Sequence, residues 1–451
     1  MREPARIEVG ALRLADLVSR EVTTPDLQLV RRVVAPAPPP LDVVAAIAAE
    51  LGPALDAVLP GQSVAVGVGS RGVARIGEIV TAVLALLTEH GAVPYVVPAM
   101  GSHGGGTPEG QVAVLADLGF TEATTGVLIR PAMATRVLGD IDGVTVHHAE
   151  SLAGADHVLV VNRLKSHTSF TGKVESGLAK MVAIGLGKQR GAEELHRLGP
   201  LHLERRIKAA CSVIRDHVPL LGGIAVVEDD RKGVDSLTFL TGDEIGGPRE
   251  AELLTRARAQ EARLPFEHID VLVVDTMGKE ISGTGMDTNV LGRRMVRGSP
   301  EPPGVDVTNV VVLAVTEGSE GNAVGLGLAD FAPVSVLDHV DLHATYANAL
   351  TAGLQGVQRA QVPVVLATDR DAFHAALMTA GLADPGAAVV VRIRSTLALN
   401  ELMVSPHLVA PGSGLEPVGD VTAGADLFDE NGTFAPWPTT TDTTDDTGPT
   451  S

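Results

Sequence analysis

The stretch HVLVVNRLKSHTSFTGKVESGLAKMVAIGLGKQRGAEELH, residues 157–196, decides how this chain is read. Its first seven residues are mostly apolar and Val-rich, without helical spacing, and predict a buried strand. The strand runs straight into a segment with six basic side chains (Arg163, Lys165, Lys173, Lys180, Lys188 and Arg190) and two histidines, His167 and His196. The whole chain carries a formal charge of −20, so this gathering of cations runs against its background. Residues that directly follow a strand of an open α/β sheet sit where such folds keep their ligands. The stretch therefore predicts both a fold class and the position of a site.

Strands and helices alternate on either side of it. Residues 41–59 have helical spacing after a Pro-rich break at 35–40. SVAVGV (63–68) reads as a strand ending at GSRG, followed by the helical IGEIVTAVLALLTEHG with its stop at Gly91. VPYVVPAM (93–100) ends at the Gly-rich GSHGGGTPEGQ, which leads into a helix from about Pro108 to Leu118. GIAVVEDD (223–230) continues the series, and a charged helix near 248–263 reads as a connector. IDVLVVDTMGKE (269–280) then opens a second unit. Its further strands are NVVVLAVTEG (309–318), VPVVLATD (362–369) and AVVVRIRS (388–395), with helices around 339–356 and 371–381. This alternation predicts an α/β protein of two domains, with mostly parallel sheets flanked by helices. The domains are expected at 1–268 and 269–430, with 397–430 able to pack back onto the first. The Thr/Asp/Pro-rich tail 431–451 is expected to be disordered.

Composition narrows the function classes. Aromatic residues are only 2% of a chain that is 45% apolar, so the core must be Val, Leu, Ile and Ala, which suits strands buried on both faces. The single cysteine, Cys211, excludes an internal disulfide framework and fits a reducing compartment. No uncharged run of about 18 apolar residues occurs, and no apolar segment follows the charged MREPARIEVG start, so a cytoplasmic protein with no membrane partner is expected. Strong acidity with few aromatics argues against nucleic acid. An acidic surface also repels anionic substrates in general, and a local basic pocket would be needed to capture one.

Arg71, His103, Lys165 and His167 each follow a strand of the first unit, and a doubly wound sheet would bring those ends together along one edge. Each residue has a plainer alternative. The loop around His103 exposes N–H groups that can cradle an anion, but a flexible turn with a solvated histidine would look the same. His167, between Ser and Thr residues, fits a surface loop as well as a site. Lys180 in SGLAKMVAIGLGK is flanked by apolar residues, which favours the neutral amine of a nucleophile, yet a snorkelling lysine has the same neighbours. His196 ends an amphipathic GAEELH. Arg71 is either a carboxylate or phosphate clamp or the cap of a turn. The GSHGGGTPEGQ loop matches neither GxGxxG with a downstream acidic partner nor GxxxxGK[ST], and no HExxH, CxxC or GxSxG is present, which leaves an anion-binding α/β enzyme with histidines and a functional lysine.

Taken in order, GSHGGGTPEGQ, NRLKSHTSFTGKVESGLAKM and the histidine after GAEEL resemble the nickel-pincer lactate racemase superfamily, among its divergent isomerase-like members. The likeness spans most of 60–330. It implies two α/β domains with the active site in the cleft between them, and a racemase or epimerase of a 2-hydroxy acid. The implied cofactor is nickel held by pyridinium-3,5-bisthiocarboxylic acid mononucleotide, attached covalently to a lysine. By the resemblance, His103 and His167 are the acid–base pair, Lys180 the attachment lysine with Lys173 its rival, and His196 the nickel ligand. Arg71, Ser102 and Gly104 would contact the cofactor. The acidic residue usual near Arg71 is Val68 here.

The second unit departs further from the family. KEISGTGMDTNVLGRR (279–294) resembles the substrate segment through Asp287 and Asn289, but Gly292 and Met295 stand where a Gln and a Lys are usual. Lys279, Arg293 or Arg294 would then take the substrate carboxylate. The cations of this segment point to a polar or multiply charged acid, such as a sugar acid. The implied route has one histidine removing the hydroxyl proton while hydride leaves Cα for the cofactor ring, with the other histidine acting on the opposite face. The implied partners are the hydroxy acid and cofactor-assembly enzymes, and a homo-oligomer is open. The competing readings are a nicotinamide-type oxidoreductase, which lacks its fingerprint here, and a non-catalytic anion-binding homologue.

Overall fold

The computed structural model describes residues 5–34, 39–70 and 72–438. The chain forms two compact units, one of residues 37–262 and one that combines 1–36 with 263–451.

The unit 37–262 is built on a five-stranded sheet. Its strands are β1 (Ser63–Val68), β2 (Val93–Pro98), β3 (His157–Arg163), β4 (Leu220–Glu228) and β5 (Val234–Thr241), in the order β2-β1-β3-β4-β5. The first four are mutually parallel and β5 closes one edge antiparallel. The strands are near-continuous apolar runs because both faces are covered. Val64, Val66, Leu159 and Val161 pack into one core with Ile47, Ile79 and Val83. Ala65, Val97, Val158 and Val160 pack into the other with Ala179, Val182 and Ile207. Each fully buried Val or Leu contributes about 1.5–3 kcal/mol, and these two layers hold the strand ends in place. The helices that matter to the site are α1 (Ile76–Glu89), α2 (Pro108–Asp117), α3 (Lys188–Arg197), α4 (Leu203–His217) and α5 (Pro248–Gln260).

A ribbon of Thr135–Ile141 and Val144–Ala149, absent from the sequence reading, also belongs to this unit. Its turn residues Asp142 and Gly143 both have positive φ (52° and 76°), the conformation a two-residue hairpin turn demands.

The other unit holds an eight-stranded sheet. Val364–Leu366, Phe331–Pro333, Asp306–Val315, His268–Met277 and Val390–Ile393 lie side by side and parallel. Glu401–Val404, Leu27–Arg32 and Leu415–Thr422 follow antiparallel. Three domain expectations are corrected here. Leu27–Arg32 joins this sheet rather than the first unit. Residues 397–430 also pair here, because both strands of that segment use Leu27–Arg32 or its neighbours as partners. The start of the tail is ordered: the buried Phe434 packs its ring on Phe373 and Phe428, and Trp437 donates its indole N–H to Asp275 at 2.5 Å. Residues 439–451 lie outside the described part of the chain.

Candidate functional site

The strand order gives the first unit its switch point. The chain places β2 on one side of β1 and returns to place β3 on the other, so the carboxyl ends of β1 and β3 diverge at the crevice where open sheets bind ligands. Ser70 follows β1, the His103 loop follows β2 and the His167 loop follows β3. Arg71 falls outside the described residues.

Backbone chemistry shapes the His103 loop. Gly104, Gly105 and Gly106 all take positive φ near 65°, and a Cβ on Gly104 would meet the Gly110 carbonyl carbon at 2.6 Å. Thr107 then caps α2 by accepting from the Gly110 N–H at 3.1 Å. His103 is exposed, and its Nδ1 is hydrogen-bonded to Ser70 Oγ at 2.5 Å. Ser70, missed by sequence reasoning, thus orients His103 from the neighbouring strand end. Ser102 and Gly104 flank the histidine, both half-buried.

The His167 loop is held from behind by carboxylates. Glu261 accepts the Ser166 N–H at 2.5 Å. Glu175, buried, accepts the N–H groups of His167 at 2.6 Å and Gly172 at 2.7 Å, and pairs with Arg258 at 2.5 Å. Glu204 accepts from Lys173 and Val174 at 3.1 and 3.3 Å. Glu250, fully buried, accepts from Ala179 at 3.1 Å and Gly246 at 2.7 Å, and burial pushes its carboxyl pKa up. A loop with no ladder of its own is thereby fixed by charge-assisted bonds to its amides.

The same loop carries His167 and Lys180. His167 is buried against the Phe170 ring at 4.4 Å, and its Nδ1 accepts the Ser169 N–H at 3.0 Å. Its Nε2 lies 2.9 Å from Lys180 Nζ. Lys180 ends the single α-turn Leu178–Lys180, where the chain passes into a π-turn, Met181–Gly185. The π-turn arises where Gly185 presses on the neighbouring strand end, since a Cβ at Gly185 would meet the Ala99 carbonyl oxygen at 2.5 Å. Lys173, the rival attachment residue, is exposed to solvent.

His196 lies near the carboxyl end of α3. Its Nδ1 hydrogen-bonds the Ala192 carbonyl at 2.6 Å, which fixes the tautomer and leaves Nε2 with its lone pair. Burial first, and then the nearby charge of Lys180, push its pKa down to about 4. A neutral imidazole with one nitrogen anchored to a carbonyl is the form that ligates a metal. Among the described residues no group of three His, Cys, Asp or Glu could hold a metal ion. A metal on His196 would need its remaining donors from a bound cofactor, which is the arrangement the sequence resemblance implies.

The segment 279–294 lies in the other unit. Lys279 follows the strand His268–Met277, with Nζ 3.0 Å from the Gly283 carbonyl and 2.8 Å from Asn348 Oδ1. Asp287 accepts from both the backbone and the side-chain N–H of Asn289 at 2.9 and 3.1 Å. Arg293 is committed to Asp330 at 2.5 Å and to the carbonyls of Leu328, Val307 and Thr308, and Arg294 is 1% exposed. Both arginines therefore do structural duty, and the Lys279 amine is itself hydrogen-bonded within the segment's own unit. A cavity of about 430 Å³ in this unit, lined by Asn309, Asp330, Phe331 and Val364, sits at the amino ends of its strands, opposite the end where α/β sheets hold ligands.

Among solved structures, the chain is similar to the lactate racemase apoprotein from Thermoanaerobacterium thermosaccharolyticum. That likeness covers 83% of this chain and 99% of the other, at 12% identity and a TM-score of 0.48. It is also similar to a structural-genomics protein from Thermotoga maritima over 61% of this chain and 71% of that one, at 15% identity and a TM-score of 0.46. No family model matches the sequence, and no curated protein matches it. No helix among the described residues is long and apolar enough to cross a membrane.

Proposed function

We propose that this protein is a racemase or epimerase of a 2-hydroxy acid, in which His103 and His167 exchange protons with the substrate hydroxyl. The observation that carries the reading is the contact of Lys180 Nζ with His167 Nε2 at 2.9 Å, beside a His196 imidazole held neutral. A proton-transfer residue, an amine and a ligand-type imidazole thus share one corner of the unit.

Because the Ser169 N–H occupies His167 Nδ1, a neutral imidazole carries its proton on Nε2 and donates it to Lys180. An uncharged Lys180 amine could accept that bond, and the uncharged form is the one that attacks an acyl carbon. This supports Lys180 over the exposed Lys173 as the residue that would hold a nickel-pincer nucleotide, with His196 Nε2 as its one protein ligand to nickel. When bound, that group would supply the hydride-accepting ring that racemisation of an unactivated C–H requires. The protein's own contribution is to give and take the hydroxyl proton at His103 and His167, to keep His167 desolvated against Phe170, and to hold both loops rigid.

The test is chiral analysis of a panel of single-enantiomer 2-hydroxy acids, aliphatic and polyhydroxylated, deuterated at Cα. The reading predicts racemised product that keeps its deuterium, because the hydride returns to the carbon it left. Product that has exchanged Cα deuterium for solvent hydrogen, or no turnover by cofactor-loaded protein on any acid, would contradict it.

A further inference from the structure

Behind His103 lies a pair of fully buried polar residues that the proposed chemistry does not use. Lys188 and Gln111 are each 0% exposed. Lys188 opens α3, the helix that carries His196, and takes φ of +55°, a conformation costly for a residue with a side chain. Its Nζ donates to the Pro98 carbonyl at the end of β2 (2.6 Å) and to Gln111 Oε1 on α2 (3.1 Å). Gln111 Nε2 in turn donates to the Gly101 carbonyl at 3.0 Å and the His103 carbonyl at 3.3 Å. A backbone bond from Gly101 N–H to the Gly185 carbonyl at 3.1 Å ties the same loop to the π-turn that follows Lys180.

Burying a lysine away from any carboxylate is expensive, and here burial pushes its pKa down to about 8. Above that pKa the amine is uncharged, and its two N–H donors match the two acceptors the site offers. A leucine or methionine would fill such a volume at less cost. What the polar pair adds is direction, since each of its bonds ends on the loop of His103 or on the residue that holds it.

We infer that Lys188 and Gln111 are positioning residues for His103, a buried brace that fixes the His103 loop to the helix bearing His196. Their role in a reaction rests on the reading of His103 as an acid–base group, whereas the brace itself does not. It is tested on the full chain without cofactor, by mapping diethyl pyrocarbonate acylation of each histidine by mass spectrometry across pH. The brace predicts that Gln111→Leu and Lys188→Met change the rate at His103 by about threefold or more near pH 7, as its contact with Ser70 loosens, while His90 and His217 keep their rates. Gln111→Glu keeps an acceptor for Lys188 but removes both donors to the loop, so it changes His103 as Gln111→Leu does. It is close in shape to the native residue and keeps the test decisive if Lys188→Met does not fold. Folded variants that all retain the wild-type His103 profile would overturn the proposal. A protein that racemises nothing, yet shows the predicted His103 changes, would sink the enzymatic reading and leave the brace standing.

Discussion

Lys188 is where a single residue's chemistry is most exposed to measurement. Its folded pKa of about 8 lies below the 10.5 of an unperturbed lysine. Between those values the native chain binds fewer protons than the unfolded chain, so stability rises with pH across pH 8–10.5. The full effect is about 3 kcal/mol at 1.36 kcal/mol per pH unit. Denaturant unfolding at pH 7.5 and 10 is expected to show that rise in the wild-type protein and not in Lys188→Met, and equal slopes would mean that the amine is solvated. Nothing in the sequence announces this residue. In GLGKQRGAEEL it reads as an exposed cation opening a polar helix, because burial at that position is imposed by the β2 end and α2, more than 70 residues earlier. His167 and Lys180 were legible as candidates because chemistry-bearing residues after an apolar strand are a local signal. Their mutual contact, and the Ser70 partner of His103, depend on strand order and were not.

At the scale of elements, the β–α alternation was readable because strands buried on both faces must be apolar runs, and the Gly-rich loop after β2 marks a turn. The π-turn, the ribbon and Leu27–Arg32 escaped for a shared reason. Each is specified by a partner distant in sequence: the Ala99 carbonyl for Gly185, the helices packed on the ribbon, and strands 370 residues away for Leu27–Arg32, as in the contact of Arg31 with Glu401. The loop 164–179 relies on its own Glu175 and on Glu204, Glu250 and Glu261 from outside it. Glu175→Ala is expected to destabilise the unit 37–262 by about 3 kcal/mol, since it strips two amides of their acceptor and leaves Arg258 uncompensated. Gln at that position should recover part of the loss, and a wild-type unfolding midpoint for the Ala variant would show that the loop is not held this way. The ribbon makes a separate prediction. His148 is fully buried, neither ring nitrogen has a hydrogen-bond partner, and burial, with Arg136 adding, pushes its pKa down to about 3. The unfolded chain takes up the extra proton as pH falls from 6.5, so native stability drops by about 3 kcal/mol by pH 4.5. His148→Leu should remain folded at acid pH where the wild type unfolds, and an unchanged acid limb would count against the assignment.

Across the whole molecule, the division into two units predicts how the chain comes apart. Residues 37–262 contain every strand of their sheet and both of its cores, and are expected to fold alone with a single cooperative transition. A fragment of 263–451 lacks Leu27–Arg32, which pairs with both Glu401–Val404 and Leu415–Thr422, and so exposes two unpaired edges. It should aggregate unless residues 5–34 are supplied, and a soluble, cooperatively folding fragment without them would contradict the sheet order. The aromatic anchors Phe434 and Trp437 belong to this unit, although their surroundings in the sequence read as a solvated tail.

Intact mass and nickel content test the proposal that Lys180 and His196 would hold a nickel-pincer nucleotide. The protein would be produced in a host that also expresses the cofactor-assembly enzymes. A covalent adduct of mononucleotide size and about one nickel per chain are expected, with the adduct lost in Lys180→Ala and the nickel lost in His196→Ala. Protein that emerges from that host with neither adduct nor nickel, or whose adduct survives Lys180→Ala and disappears in Lys173→Ala, would contradict it.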